Sequence, residues 1–89
     1  MIKKGIEVKN ALGLHARPAA LLAQTTGGFK AVVKIEKGGV EVDGKSIMGI
    51  MMLAAPRGAI LNFTFDGSDE NDALQAVQKL FDSGFSEAY

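Results

Sequence analysis

Apolar and polar residues alternate with a period of two in four short stretches of the chain. These stretches cover residues 6–9, 31–36, 40–43 and 61–66. Such an alternation is typical of a β-strand that buries one face. A Lys-Gly-Gly sequence separates the second stretch from the third, so these two are predicted to form a hairpin. The pattern therefore predicts four strands, each apolar on one side only.

Two further stretches carry the end signals of helices. Residues 16–26 are rich in Ala and Leu and include Gln24, with Pro18 near their start and two glycines directly after them. Proline inside the first turn and glycine beyond the last is the usual order in a helix. After Ser46, a good N-cap residue, apolar residues recur at helical spacing as far as Ala54, and Pro56 ends the run. We therefore predict a longer helix and a shorter one.

A third helix is predicted after Ser68, which can cap its N-terminus. Its first turn is acidic, as the helix dipole favours, and its apolar stripe consists of Leu74, Val77 and Phe81. Gly84 then ends the helix, and the apolar Phe85 is expected to fold back onto it.

The resulting order is strand, helix, strand, strand, helix, strand, helix. Strands that are apolar on one face suit an antiparallel sheet covered by helices on that face, rather than a parallel sheet covered on both. We therefore predict an α+β open-faced sandwich with a four-stranded antiparallel sheet and three helices on one face. Eighty-nine residues suffice for one core, so residues 1–89 are expected to form a single domain.

Charge and composition narrow the classes of partner. Ten basic residues balance ten acidic ones, so nucleic acid is not an expected partner. With no cysteine and a single histidine, the chain offers neither disulfides nor a good metal site, and it has no cofactor-binding motif. No apolar run has the length of a signal peptide or a membrane span, so we expect a cytoplasmic protein without membrane insertion.

The single histidine, His15, lies at the junction between the first strand and the first helix, in the sequence NALGLHARPAA. The first turn of a helix has backbone amides without intrahelical acceptors, and Arg17 adds donors suited to phosphate oxygens. The positive helix end also favours a neutral imidazole, which can act as a nucleophile. These features indicate a histidine that is itself phosphorylated. The residues alone leave two alternatives open, a cap or surface histidine and a metal ligand.

Two motifs resemble a known family. GLHARPAA at residues 13–20 and KSIMGIMMLAA at residues 45–55 resemble the histidine-containing phosphocarrier (HPr) of the phosphoenolpyruvate-dependent phosphotransferase system. The resemblance implies that His15 accepts the phosphoryl group and that Arg17 and Pro18 complete the active centre. The amides of Ala16 and Arg17 would then steady the phosphoryl group. Ser46 matches a regulatory serine that is phosphorylated in many bacteria.

The same resemblance implies the partners. Enzyme I would donate the phosphoryl group, a IIA-type protein would accept it, and an HPr serine kinase/phosphorylase would modify Ser46. The second helix is too short to bury all its apolar residues, so part of it is expected to remain exposed for docking. The docking residues we expect are Ala20, Ile47, Met48, Met51 and Met52. The alternative for the methionines is that they fill the core.

Two questions stay open at the level of sequence. The stretches SIMGIMMLAA and LFDSGF look more like the nitrogen-related branch of the system than the sugar branch. The competing functional class is an interaction protein whose phosphorylation state partners read, without carrying flux for sugar transport.

Overall fold

The computed structural model describes residues 1–86, which fold into four strands, three α-helices and a final 3₁₀ turn. The strands are β1 (Ile2–Glu7), β2 (Val32–Lys37), β3 (Val40–Asp43) and β4 (Ile60–Asp66). The helices are α1 (Ala16–Gly27), α2 (Ile47–Met52) and α3 (Glu70–Asp82), and the turn spans Gly84–Ser86. The predicted order of elements is confirmed. No helix in this part of the chain is long and apolar enough to cross a membrane.

The strands form one antiparallel sheet in the order β1-β4-β2-β3. Ile6 of β1 lies opposite Leu61 of β4, and Ile35 of β2 lies opposite Phe63 of β4. All four side chains are buried beneath the helices. The other face of the sheet presents mainly polar side chains, so the predicted α+β open-faced sandwich is confirmed.

An aromatic cluster holds the C-terminal turn against the sheet. The Phe63 ring stacks on Phe65 and meets Phe81 edge-on, with ring centroids 5.6 Å apart in both pairs. Phe85 packs on Phe81 at 4.8 Å and is only 2% exposed. Gly84 has a φ of +62°, which lets the chain reverse as expected after a helix. The prediction that Phe85 folds back is therefore confirmed.

The predicted bounds of two elements, the first strand and the second helix, differ from the structure by two residues or more. The first strand begins at Ile2 and ends at Glu7, because the whole of this segment pairs with β4. The second helix ends at Met52, two residues earlier than predicted, and Ala54 has a φ of +48°. This left-handed conformation is rare for a residue with a Cβ and turns the chain out of the helix toward β4.

The predicted cap at Ser68 is also wrong, because the N-cap of α3 is Asp69. The Asp69 carboxylate accepts hydrogen bonds from the backbone amides of Lys30 and Ala31, each at 2.8 Å. One carboxylate thus fastens the start of α3 to the segment that enters β2. The hydrogen bond from the Lys30 amide has the largest effect on the pKa of Asp69. Together with the hydrogen bond from the Ala31 amide, it lowers this pKa below its usual value.

Replacement of Asp69 by Asn tests this fastening. Because the pKa of Asp69 is lower in the folded chain than in the unfolded one, its stabilisation is present above the unfolded pKa and lost as the pH falls through the folded pKa. Asp69→Asn should therefore be less stable than the parent in urea at pH 7, and the gap should narrow on acidification. Asp72→Asn, an equal charge change in the same first turn, is the control. Equal losses of stability in both variants at pH 7 would contradict the assignment.

Candidate functional site

His15 occupies the N-cap position of α1, with extended backbone angles (φ −78°, ψ −170°), and is half-buried. The first helical bond runs from the amide of Ala19 to the carbonyl of His15, at 3.0 Å. The amides of Ala16 and Arg17 therefore precede that bond, and Pro18 has no N–H. Pro18 is buried while Arg17 is exposed. The structure thus brings His15, two helix-end amides and an arginine into one turn, as predicted.

A compact loop presents His15 to the helix. The carbonyl of Gly13 accepts two hydrogen bonds, from Nδ2 of Asn10 at 2.7 Å and from the amide of His15 at 3.0 Å. The amide of Gly13 in turn donates to the carbonyl of Asn10 at 3.1 Å. Asn10 is only 3% exposed, an unusual burial for an amide side chain. It is a positioning residue that the sequence analysis missed, because its burial becomes visible only in the folded loop.

The same loop is joined to the segment that follows α2. The amide of Leu14 donates to the carbonyl of Ala55 at 2.9 Å. Gly13 has a φ of +70°, and a Cβ built on it would lie 2.3 Å from the Ala55 oxygen and 2.9 Å from Cα of Pro56. Both groups are backbone and cannot rotate away. Only glycine fits between the His15 loop and this segment.

Ser46 is the N-cap of α2, as predicted. Its Oγ accepts a hydrogen bond from the amide of Gly49 at 3.0 Å, and its backbone is extended (φ −105°, ψ 120°). The side chain is therefore a structural cap in the unmodified protein. The residue is half-buried, so it is not sealed in the core.

Ser46 lies near the C-terminal end of α1, far from the end that carries His15. The buried hydroxyl of Thr26, in the last turn of α1, is 2.7 Å from the carbonyl of Gly44, and Nζ of Lys45 donates to the carbonyl of Phe29 at 2.8 Å. With twelve residues, α1 is roughly 18 Å long, and Ser46 and His15 lie toward its opposite ends. The structure therefore does not bring Ser46 and His15 together in one site.

Helix α2 packs against α1 and presents an apolar surface to solvent beside it. Ile50 is buried and anchors the helix, whereas the expected docking residues of α2 are exposed: Ile47, Met48, Met51 and Met52. Met48 is 77% exposed, so it does not fill the core. Ala20 of α1 is half-buried. Leu12 in the His15 loop is 61% exposed and adds an apolar side chain that the sequence analysis missed.

The ionisable groups of residues 1–86 are either scattered or joined in a few ion pairs. Within residues 1–86, no three His, Cys, Asp or Glu side chains are grouped so that they could hold a metal ion. The ion pairs there lie at the sheet edge and along α3: Met1 with Asp66 and Glu70, and Lys9 with Asp82. Candidate chemistry in this part of the chain is therefore concentrated at the start of α1.

An open-faced sandwich that presents one histidine at a helix N-terminus, beside an exposed apolar helix, has the features of a small phosphoryl carrier. Comparison with known proteins agrees. The family model described as "PTS HPr component phosphorylation site" matches residues 2–83. The chain belongs to the HPr family of phosphocarriers in the phosphotransferase system.

Individual relatives cover nearly the whole chain. Phosphocarrier protein HPr of Neisseria meningitidis serogroup A is 45% identical over 98% of this chain and 98% of its own. HPr of Xylella fastidiosa (strain Temecula1) is 44% identical with the same coverage. The crystal structure of HPr-C-His from Thermoanaerobacter tengcongensis superposes with a TM-score of 0.95 at 43% identity, covering all of both chains.

Family membership settles the class of function. The protein is a stoichiometric phosphoryl carrier of the phosphotransferase system and not a catalyst. The family implies enzyme I and IIA-type proteins as partners. The relatives described above carry the general HPr name and give no specific support to the nitrogen-related branch.

Replacement of Gly13 by alanine tests the junction between the His15 loop and the segment after α2. Left-handed backbone at a residue with a Cβ costs about 1 kcal/mol, and an overpacked contact adds about 2 kcal/mol. We expect Gly13→Ala to lose about 3 kcal/mol in urea unfolding, with NMR shifts at the amides of Leu14 and His15. Gly38→Ala is the matched control, because Gly38 has a φ of +59° and open space around it. Equal losses of stability in the two variants would show that the close contact with Ala55 does not require glycine at position 13.

Proposed function

We propose that His15 is the phosphoryl acceptor of this carrier. The observation that supports the proposal is its position at the N-cap of α1, next to the amides of Ala16 and Arg17. Both amides belong to the positive end of the helix, where anionic oxygens are stabilised. The exposed Arg17 guanidinium supplies a further charged donor from the same turn.

The reaction is a direct transfer between two imidazoles. Nδ1 of His15, the nitrogen that this family uses, attacks the phosphorus of a phosphohistidine on enzyme I. A new N–P bond forms as the donor's N–P bond breaks, and the donor ring keeps the electron pair. The second transfer, to a histidine of a IIA-type protein, repeats these steps with His15 as the leaving group. No general acid is required, since an imidazole leaves with its lone pair.

Pro18 completes the active centre without contributing a donor. Its ring fixes φ near the helical value, which presets the first turn of α1. Its burial anchors that turn while the neighbouring Arg17 side chain stays exposed. Pro18 therefore holds the amides in place around the phosphoryl group.

The surface formed by Ala20, Ile47, Met48, Met51 and Met52 is proposed as the docking face for both partners. Its apolar side chains are exposed on α2, and α2 packs against the helix that begins at His15. Methionine side chains adapt their shape, which suits a surface that must fit enzyme I and a IIA-type protein in turn. We place the carrier in the cytoplasm, the usual compartment of HPr.

Transfer from radiolabelled phosphoenolpyruvate through purified enzyme I tests the role of His15. We expect His15→Ala to take up no acid-labile phosphate. Arg17→Ala should be slowed about 10- to 100-fold, because a hydrogen bond to a charged group contributes about 1.5–3 kcal/mol. Its unfolding midpoint should not change, because Arg17 is exposed. Lys30→Ala removes an exposed cation beyond the other end of α1 and is the control.

A parent-like rate of phosphorylation in His15→Ala would overturn the assignment. The same assay separates a carrier from a protein that only binds its partners. A carrier passes label on to an added IIA-type acceptor, whereas a binding-only protein retains it.

We further propose that Ser46 is a site of regulatory phosphorylation by an HPr serine kinase/phosphorylase. A phosphate at Ser46 would add about two negative charges next to the docking face, beside Ile47 and Met48. Because Ser46 lies toward the opposite end of α1 from His15, the expected effect is repulsion of a docking partner rather than contact with the phosphoryl group. Aspartate is also a good N-cap, so Ser46→Asp should preserve α2.

Ser46→Asp is expected to raise the KM for this carrier with enzyme I several-fold, most clearly at low salt, where charges are screened least. Ser68→Asp places the same charge at an exposed serine before α3 and should leave the KM unchanged. Ser46→Ala separates loss of the cap from gain of charge. Equal KM values for Ser46→Asp and the parent at low salt would indicate that Ser46 is only a cap.

A further inference from the structure

The sulfur atoms of this chain are unevenly distributed. It has four methionines and no cysteine. Three of the methionines, Met48, Met51 and Met52, lie in the six residues of α2, and the fourth is Met1. Oxidants that react with sulfur therefore meet only thioethers, and most of these belong to the proposed docking face.

Of the three methionines in α2, two are exposed over most of their surface. Met48 is 77% exposed and Met52 is 73% exposed, whereas Met51 is 43% exposed. Met48 and Met52 are four residues apart and therefore lie on the same side of α2. Ile50, which is fully buried, holds the opposite side in the core. An oxygen atom added to Met48 or Met52 would project into solvent without disturbing the packing of α2.

We propose that Met48 and Met52 are an oxidant-responsive modification site that controls docking. Hydroperoxides convert both residues to sulfoxides, and the modified α2 binds the phosphotransfer partners less tightly. This inference rests on the proposed role of α2 as the docking face.

The chemistry needs only a hydroperoxide. A lone pair on the methionine sulfur attacks the outer peroxide oxygen, an S–O bond forms, and the O–O bond breaks. With hydrogen peroxide the products are the sulfoxide and water, so sulfur is oxidised by two electrons and the peroxide is reduced. Methionine sulfoxide reductases reverse the change.

The effect on docking follows from polarity. A thioether covered by a partner contributes apolar contact, whereas a sulfoxide must give up its bound water when it is covered. Oxidation leaves the elements that position His15 untouched. The KM for the carrier and the Kd for enzyme I should therefore rise about tenfold, while kcat stays near the parent value.

The experiment compares reduced protein with protein treated with limited hydrogen peroxide. Peptide mass spectrometry identifies samples in which Met48 and Met52 are sulfoxides and Met51 is not. Phosphotransfer kinetics and calorimetric binding to enzyme I are then measured on both forms. Circular dichroism and urea unfolding should be identical, because the core contact at Ile50 is unchanged. Treatment with sulfoxide reductases should restore the original Kd.

Leucine variants provide the matched control. The double variant Met48→Leu, Met52→Leu keeps apolar side chains of similar size but cannot take up oxygen at these positions. Its Kd for enzyme I before peroxide is its own reference, and peroxide should leave that Kd unchanged. Met1, which is 69% exposed, is oxidised in both proteins and controls for modification away from α2.

Two results would overturn the proposal: an unchanged Kd when both residues are sulfoxides, or an equal loss of affinity in the leucine variant. Failure of the proposed carrier role is distinguishable, because it appears as absent phosphotransfer in the reduced parent. The binding measurement still decides the effect of oxidation in that case.

Discussion

The hydrogen bond from the amide of Leu14 to the carbonyl of Ala55 joins the two parts of the molecule on which the proposed phosphotransfer depends. It links the loop that carries His15 to the segment that leaves α2. Gly13 brings the two backbones so close that a Cβ would overlap the Ala55 oxygen. Because neither backbone can move aside, the start of α1 and the end of α2 keep a fixed relative position. A partner that binds α2 therefore meets the His15 turn in a defined orientation.

A second set of contacts fixes the opposite ends of the same two helices. Thr26 at the end of α1 reaches the carbonyl of Gly44, and Lys45 reaches the carbonyl of Phe29. With both ends of α1 attached to the segments that flank α2, the two helices form one unit. Ser46 lies in that unit, but at the end away from His15. A charge at Ser46 would thus change the proposed docking face and leave the helix-end amides of α1 in place.

The alternation of apolar residues predicted most of the fold, because burial of one sheet face constrains every second residue. It failed in the first half of β1, where Lys4 lies on the helix-facing side between Ile2 and Ile6. There the sheet edge is open, and Lys4 lines a groove with Leu74 and Gln78 of α3.

The role of Asp69 was also missed, since its partners Lys30 and Ala31 are distant in sequence. The helix-end position of His15 was predictable because proline and glycine mark the ends of α1, whereas Asn10 and Gly13 owe their roles to contacts within the folded loop.

The proposed site has few hydrogen-bond donors for the phosphoryl group. The requirement for transfer in two steps explains why. A carrier must take the phosphoryl group from one histidine and give it to another, so tight binding would slow the second step. An ordinary helix start offers three amides before the first intrahelical bond, but Pro18 removes one of them here. The amides of Ala16 and Arg17 and one exposed guanidinium remain. Because the Arg17 side chain is exposed, a partner can displace or replace its contact during transfer. The proline therefore fixes the geometry of the turn and at the same time limits how firmly the phosphoryl group is held.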